Sequence, residues 1–127
     1  MPTPILILAS DTTLRDGLRR AAEEFGRVVT TSKPAMAIYL TAVHEPLIAI
    51  VDLDAVPPDG RFGLVSTLHT RFRVAVVGIG DAATLRDAAG ISLATTILKP
   101  IHLSDVMHVV DRLLDGRLGE SAESHER

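Results

Sequence analysis

A chain of 127 residues, 46 % apolar and 23 % charged, is the size of one ordinary domain and can bury a real core. Its net charge of -3 is too small and of the wrong sign for a nucleic-acid footprint. Without cysteine there is no disulfide, thiolate metal site or cysteine nucleophile; no basic segment precedes an apolar run at the N-terminus, and no apolar run approaches a membrane span. A soluble, cytoplasmic protein with no nucleic-acid or membrane partner is expected.

Short apolar runs alternate with helical patterns along the chain. Ile5-Leu6-Ile7-Leu8 reads as a first strand. Asp11 or Thr12 can cap a helix whose apolar face carries Leu14, Leu18, Ala21, Ala22 and Phe25, with Gly26 as its stop. Val28-Val29 gives a second strand, and Ser32 with Pro34 just inside opens a second helix bearing Met36, Ile38, Tyr39, Leu40 and Val43, closed by Pro46. Leu47-Ile48-Ala49-Ile50-Val51-Asp52 is an apolar run fit for a strand covered on both faces, ending in a carboxylate. After a proline-rich loop, Phe62, Leu64, Val65 and Leu68 mark a third helix, and Val74-Ala75-Val76-Val77 a fourth strand followed by the loop Gly78-Ile79-Gly80-Asp81. Asp81 can cap a short helix running to Gly90; Thr95-Thr96-Ile97-Leu98 supplies a fifth strand ending at Lys99-Pro100, and Val106, Met107, Val109, Val110, Leu113 and Leu114 a final helix that Ser104 caps or begins. Residues 1–115 make one domain; 116–127 are small and polar, as in a tail or linker.

Five strands alternating with five helices predict an α/β fold, a doubly wound parallel sheet of order 2-1-3-4-5, flavodoxin-like in form. Ligands collect at the carboxyl ends of the strands in such sheets, so Ala9, Ser10, Asp11, Asp52, Gly78 and Lys99 should line one crevice, with Asp52 facing Lys99. The plain alternative for Asp52 is a cap on the turn that follows it.

Pro46 six places before Asp52, Asp59-Gly60 after it, and Lys99-Pro100 at the end of the last strand together resemble the receiver domain of two-component response regulators, over residues 4 to 115. The resemblance implies that Asp52 is a phosphoryl acceptor, that Lys99 contacts the phosphate, and that the Lys99-Pro100 bond is cis. It also implies a magnesium ion held by an acidic pair, by Asp52 and by the backbone carbonyl of Asp54. Its partners would be a sensor histidine kinase or phosphotransfer protein and a downstream effector, engaged without enzymatic activity of its own. The oligomeric state stays open, a homodimer among the arrangements.

Where receivers carry the acidic pair, this chain has Ala9-Ser10, and Asp11, one place late, is left as a weak metal ligand beside Asp52 and the Asp54 carbonyl; a small hard cation wants carboxylate oxygens, so magnesium binding should be weak. The family's phosphate-binding hydroxyl corresponds to Gly78 and its aromatic switch residue to Thr96, neither of which offers the needed group. Three functions are therefore weighed: a receiver phosphorylated on Asp52, a degenerate receiver binding proteins irrespective of phosphorylation, and an unrelated flavodoxin-like binder of small molecules. For the last, Ser10-Asp11-Thr12-Thr13 could cradle phosphate, but Asp11 would repel it and no strand-end aromatic is available to stack a flavin.

The remaining candidates have ordinary explanations. His44, His69, His102, His108 and His125 lack metal-ligand spacing and read as surface residues, and Arg71 and Arg73 beside Phe72 as a solvated edge. Met36 and Met107 read as core residues, and Ser10 and Ser104 lack a catalytic setting.

Overall fold

The computed structural model of the chain describes the backbone of residues 4–126 and the side chains of residues 4–116. Five parallel strands, β1 (Ile5–Leu8), β2 (Val28–Thr31), β3 (Ile48–Asp52), β4 (Ala75–Gly80) and β5 (Thr95–Leu98), form one sheet in the order β2-β1-β3-β4-β5. Five helices alternate with them: α1 (Thr12–Glu23), α2 (Pro34–His44), α3 (Pro58–Ser66), α4 (Ala82–Asp87) and α5 (Leu103–Glu126).

Strand alternation sorts the apolar residues into two layers. Ile5, Ile7, Ala9, Ile48, Ile50, Val77, Ile79 and Ile97 pack with Leu18, Ala21 and Ala22 of α1 and Val106 and Val110 of α5. Leu6, Leu8, Ala49, Val51 and Val76 pack on the other face with Ala37 of α2 and Leu64 and Val65 of α3. All residues of β1 and β3 are buried, as central strands covered on both sides must be.

Helix starts follow their side-chain chemistry only in part. Asp11 caps α1 through Leu14 N, and Asp81 caps α4 through Thr84 N. Ser32 does not cap α2: Lys33 takes that position without a side-chain bond, Pro34 sets the first turn, and Thr31 Oγ1 accepts from Lys33 N instead. Helix α1 ends at Glu23, before Gly26, and Glu45 in the left-handed region ends α2 ahead of Pro46. Ser104 lies inside the first turn of α5, not at its cap. The same helix passes Gly116, where the composition predicts the domain to end, and continues to Glu126; His125 and the side chains of this stretch lie outside the described residues.

Two further expectations are corrected. Met36 is not core: it is 46 % exposed on α2 beside Tyr39 and Val43, because α2 is apolar nearly all round and can bury only one face, which includes Ala37 and Thr41. Met107 does pack against the core. The segment Gly78-Ile79-Gly80 is not a loop but the second half of β4, paired with β3 on one side (Val51 with Gly78, Asp52 with Ile79) and β5 on the other (Gly78 with Thr96, Gly80 with Leu98). Hydrogen-bonded neighbours on both edges override the turn preference of glycine.

Gly78 also has a packing reason. A Cβ there would lie 3.0 Å from Leu93 Cδ1 and 3.1 Å from Leu53 Cδ1, in the apolar layer that holds Leu53. Gly78→Thr should therefore lower stability by about 1–3 kcal/mol through overpacking, read as a lower urea midpoint at unchanged slope.

Candidate functional site

The last residue of β3, Asp52, is 3 % exposed, and Lys99 follows the last residue of β5. Lys99 N donates to Gly80 O at 2.9 Å, tying the end of β5 to that of β4, and the Lys99-Pro100 bond is cis. The Lys99 side chain reaches across the strand ends, its Nζ 2.9 Å from Asp52 Oδ1 and 2.9 Å from Asp54 Oδ2. One ammonium thus bridges two carboxylates. Asp52 also caps the 3-10 turn Leu53–Ala55, its Oδ1 accepting from Asp54 N at 3.1 Å, so the capping reading and the pairing with Lys99 both hold.

Asp54 has further donors. Thr84 Oγ1 donates to its Oδ1 at 2.5 Å and the Asp81 amide to its Oδ2 at 3.3 Å. The side chain, not only the carbonyl that the sequence reading assigned to a metal, is therefore engaged. Burial alone would push the Asp54 carboxyl up, but the Thr84 and Lys99 hydrogen bonds, the Lys99 charge and the Asp81 amide together hold it below its ordinary value. Burial alone would depress Lys99, but its hydrogen bonds to Asp54 and Asp52 and the charges of both raise it above its ordinary value.

Arg61 fixes the turn that carries Asp54. It is buried at 9 % exposure, and its Nε donates to Leu53 O at 2.9 Å and to Val56 O at 3.1 Å. At the end of β1, Arg15 Nη1 donates to Ala9 O at 2.9 Å and to Ser10 O at 3.4 Å, which brings a guanidinium to the place where the receiver resemblance requires an acidic pair. Neither arginine announces itself in sequence, because each contact joins a helix to backbone carbonyls of the segment that precedes it. Thr84 was missed as well; its place in the first turn after Asp81 is the one available signal.

Other expected site residues are placed elsewhere. Asp11 is exposed and accepts the Leu14 amide. Ser10 is exposed, whereas Ala9 is fully buried in the core. Gly78 pairs with Val51, one residue below Asp52, and its Cα faces the Leu53–Leu93 layer, so a hydroxyl there would point away from Asp52. Thr96 is exposed on β5. Beside Lys99 lies an open depression of about 490 Å³ lined by Asp11, Leu14, Lys99, Pro100 and Ile101.

A magnesium ion, which the resemblance implies, fits this set badly. Among the described residues no three His, Cys, Asp or Glu side chains converge as metal ligands. The two adjacent carboxylates are already bridged by an ammonium, and a hard divalent ion wants several free oxygens.

The architecture decides the fold by comparison with solved structures. It is the receiver-domain fold. A CheY-like response regulator receiver domain from Methanospirillum hungatei matches with a TM-score of 0.81 at 18 % identity, covering 94 % of this chain and 99 % of that one. The receiver domain of AraT from Geobacillus stearothermophilus matches with a TM-score of 0.80 at 20 % identity (95 % and 99 %), and a response regulator from Thermotoga maritima with 0.77 at 14 % (91 % and 99 %). No sequence-family model matches the chain, and neither does any curated protein sequence. Among the described residues, no helix of this receiver fold is long and apolar enough to cross a membrane.

Removing the ammonium leaves a buried carboxylate without a counter-charge. Lys99→Met should cost about 2–4 kcal/mol, below the top of the range for breaking a buried pair because Lys99 is 30 % exposed; Asp52→Asn, which leaves Lys99 paired with Asp54, should cost less. The pH dependence has a fixed sign. Asp54, depressed on folding, contributes stability that is present above 3.8 and lost as pH falls through its lower folded value. Lys99, raised on folding, contributes stability that is present below 10.5 and lost as pH rises through its higher folded value. The stability gap between wild type and Lys99→Met should therefore be flat from about pH 5 to pH 9 and shrink on both sides, which denaturant titrations across pH will show.

Proposed function

We propose that this chain is a receiver-type module of two-component signalling that works by protein contact, with Asp52 in the phosphoryl-acceptor position but phosphorylation not required for output. The observation that carries this reading is the bridging ammonium. Lys99 is already shared between Asp52 and Asp54 as their one counter-charge. Phosphoryl transfer to Asp52 adds negative charge at a carboxylate and needs compensating cations and donors placed for it. The chain offers a poor magnesium site, and the donors near Asp52 already have acceptors.

Partners on this reading are a sensor histidine kinase or phosphotransfer protein and a downstream effector. Contacts would be made by the surface of α4, β5 and α5, where Thr96 and Leu98 are exposed. A working acceptor is the second reading, supported by the Asp52–Lys99 pair itself, since that lysine is the group such a phosphate would contact.

Incubation with acetyl phosphate and magnesium chloride separates the two. The proposal expects intact-mass measurement to find Asp52 unmodified and the amide spectrum of α4, β5 and α5 unmoved. A stoichiometric adduct on Asp52 accompanied by shifts on that surface would establish the second reading in its place. Magnesium titration of the same amides should give half-saturation above about 1 mM, because affinity in oxygen-ligand sites follows carboxylate count.

A further inference from the structure

Asp54 is where three separate parts of the fold meet. Its carboxylate takes a hydrogen bond from the Lys99 ammonium at the end of β5, one from the Thr84 hydroxyl in α4, and one from the Asp81 amide where β4 passes into α4. Asp54 itself sits on the turn after β3, which Asp52 caps and Arg61 braces from α3. Thr84 is 8 % exposed, so its hydroxyl has little water to exchange for this bond. Donors that are charged, or aimed at a charged acceptor, make the stronger hydrogen bonds.

We propose that Asp54 is a built-in latch: its carboxylate supplies the anion that holds Lys99 and α4 against the end of β3, so the β4–α4 junction is set without any group added at Asp52. This rests on the receiver reading above and deepens it, since it says why the output surface would be fixed. Helix α4 has only six residues; Asp81 caps its first turn through Thr84 N, and the bond from the Thr84 hydroxyl to Asp54 ties that turn to the end of β3. Gly80 is part of the same device. A Cβ at Gly80 would lie 3.0 Å from Thr84 Cγ2, so a side chain there would oblige Thr84, whose hydroxyl reaches Asp54, to give by a few tenths of an ångström. The latch gives Asp54 a positioning role, and it opens only if Lys99 or Thr84 is drawn to another acceptor.

Amide hydrogen exchange at Asp81 and along α4 reads the latch directly, because exchange reports local opening. In Asp54→Ala, exchange at the Asp81 amide should quicken by about tenfold or more, with α4 following, while β1 and β3 keep wild-type protection. Thr84→Val, which keeps the shape and removes the hydroxyl, should quicken the same amides, and Thr84→Ser, which restores it, should return them to wild-type rates. A merely structural role for residue 84 would not divide these two variants by the hydroxyl. Unchanged exchange in Asp54→Ala, or equal rates in the valine and serine variants, would overturn the latch; if Asp54→Ala does not fold, the Thr84 pair decides alone. The two proposals fail separately. Should wild-type protein take up a phosphoryl group and shift its output surface while the exchange pattern holds, the latch stands as a device that modification releases; should the exchange pattern fail, the signalling reading is untouched.

Discussion

A carboxylate at the closed end of a central strand needs a cation, and this fold meets that need with one side chain. Asp52 is buried because β3 is flanked by β1 and β4 and covered by helices on both faces. An ionised group in such a place is tolerated only when paired and hydrogen-bonded. Lys99 supplies the charge and the Asp54 amide a donor. Both depend on distant parts of the chain being in register: β5 must pair with β4 so that Lys99 emerges beside Asp52, and Arg61 must brace the turn so that Asp54 folds back.

The parallel sheet provides that register by elementary means. Apolar residues at every position of β1, and at every position of β3 before Asp52, leave these strands nowhere to sit but the middle, between two helical layers. A slip by one residue would exchange the two layers and carry Asp52 to the opposite face of the sheet. Core packing therefore positions the site.

What was legible in sequence follows from this. Strand order, helix count, and the meeting of Asp52 with Lys99 are consequences of apolar runs and crossover geometry, which local pattern carries. The far half of β4 was not legible, because Gly78 and Gly80 carry a turn signature that only pairing on both edges overrides. Met36 misled for a related reason: an apolar residue on a helix apolar all round gives no phase, so burial cannot be assigned from periodicity. Arg15 and Arg61 were invisible because each acts on backbone 5 to 8 residues away, and Thr84 had only its place after Asp81 to mark it, its carboxylate partner lying 30 residues away.

The departures from the receiver pattern form one consistent set when charge is followed. Without the acidic pair there is less negative charge at the strand ends to attract a metal, and Arg15 places a fixed cation on the carbonyls of Ala9 and Ser10. A cation there favours anions nearby and disfavours a divalent metal. The hydroxyl of Thr84, on α4, has Asp54 as its acceptor. Because ammonium and guanidinium keep their protons through the neutral range, Lys99 stays a cation between Asp52 and Asp54, and Arg15 a cation on the carbonyls of Ala9 and Ser10, so both contacts belong to the folded chain itself across that range.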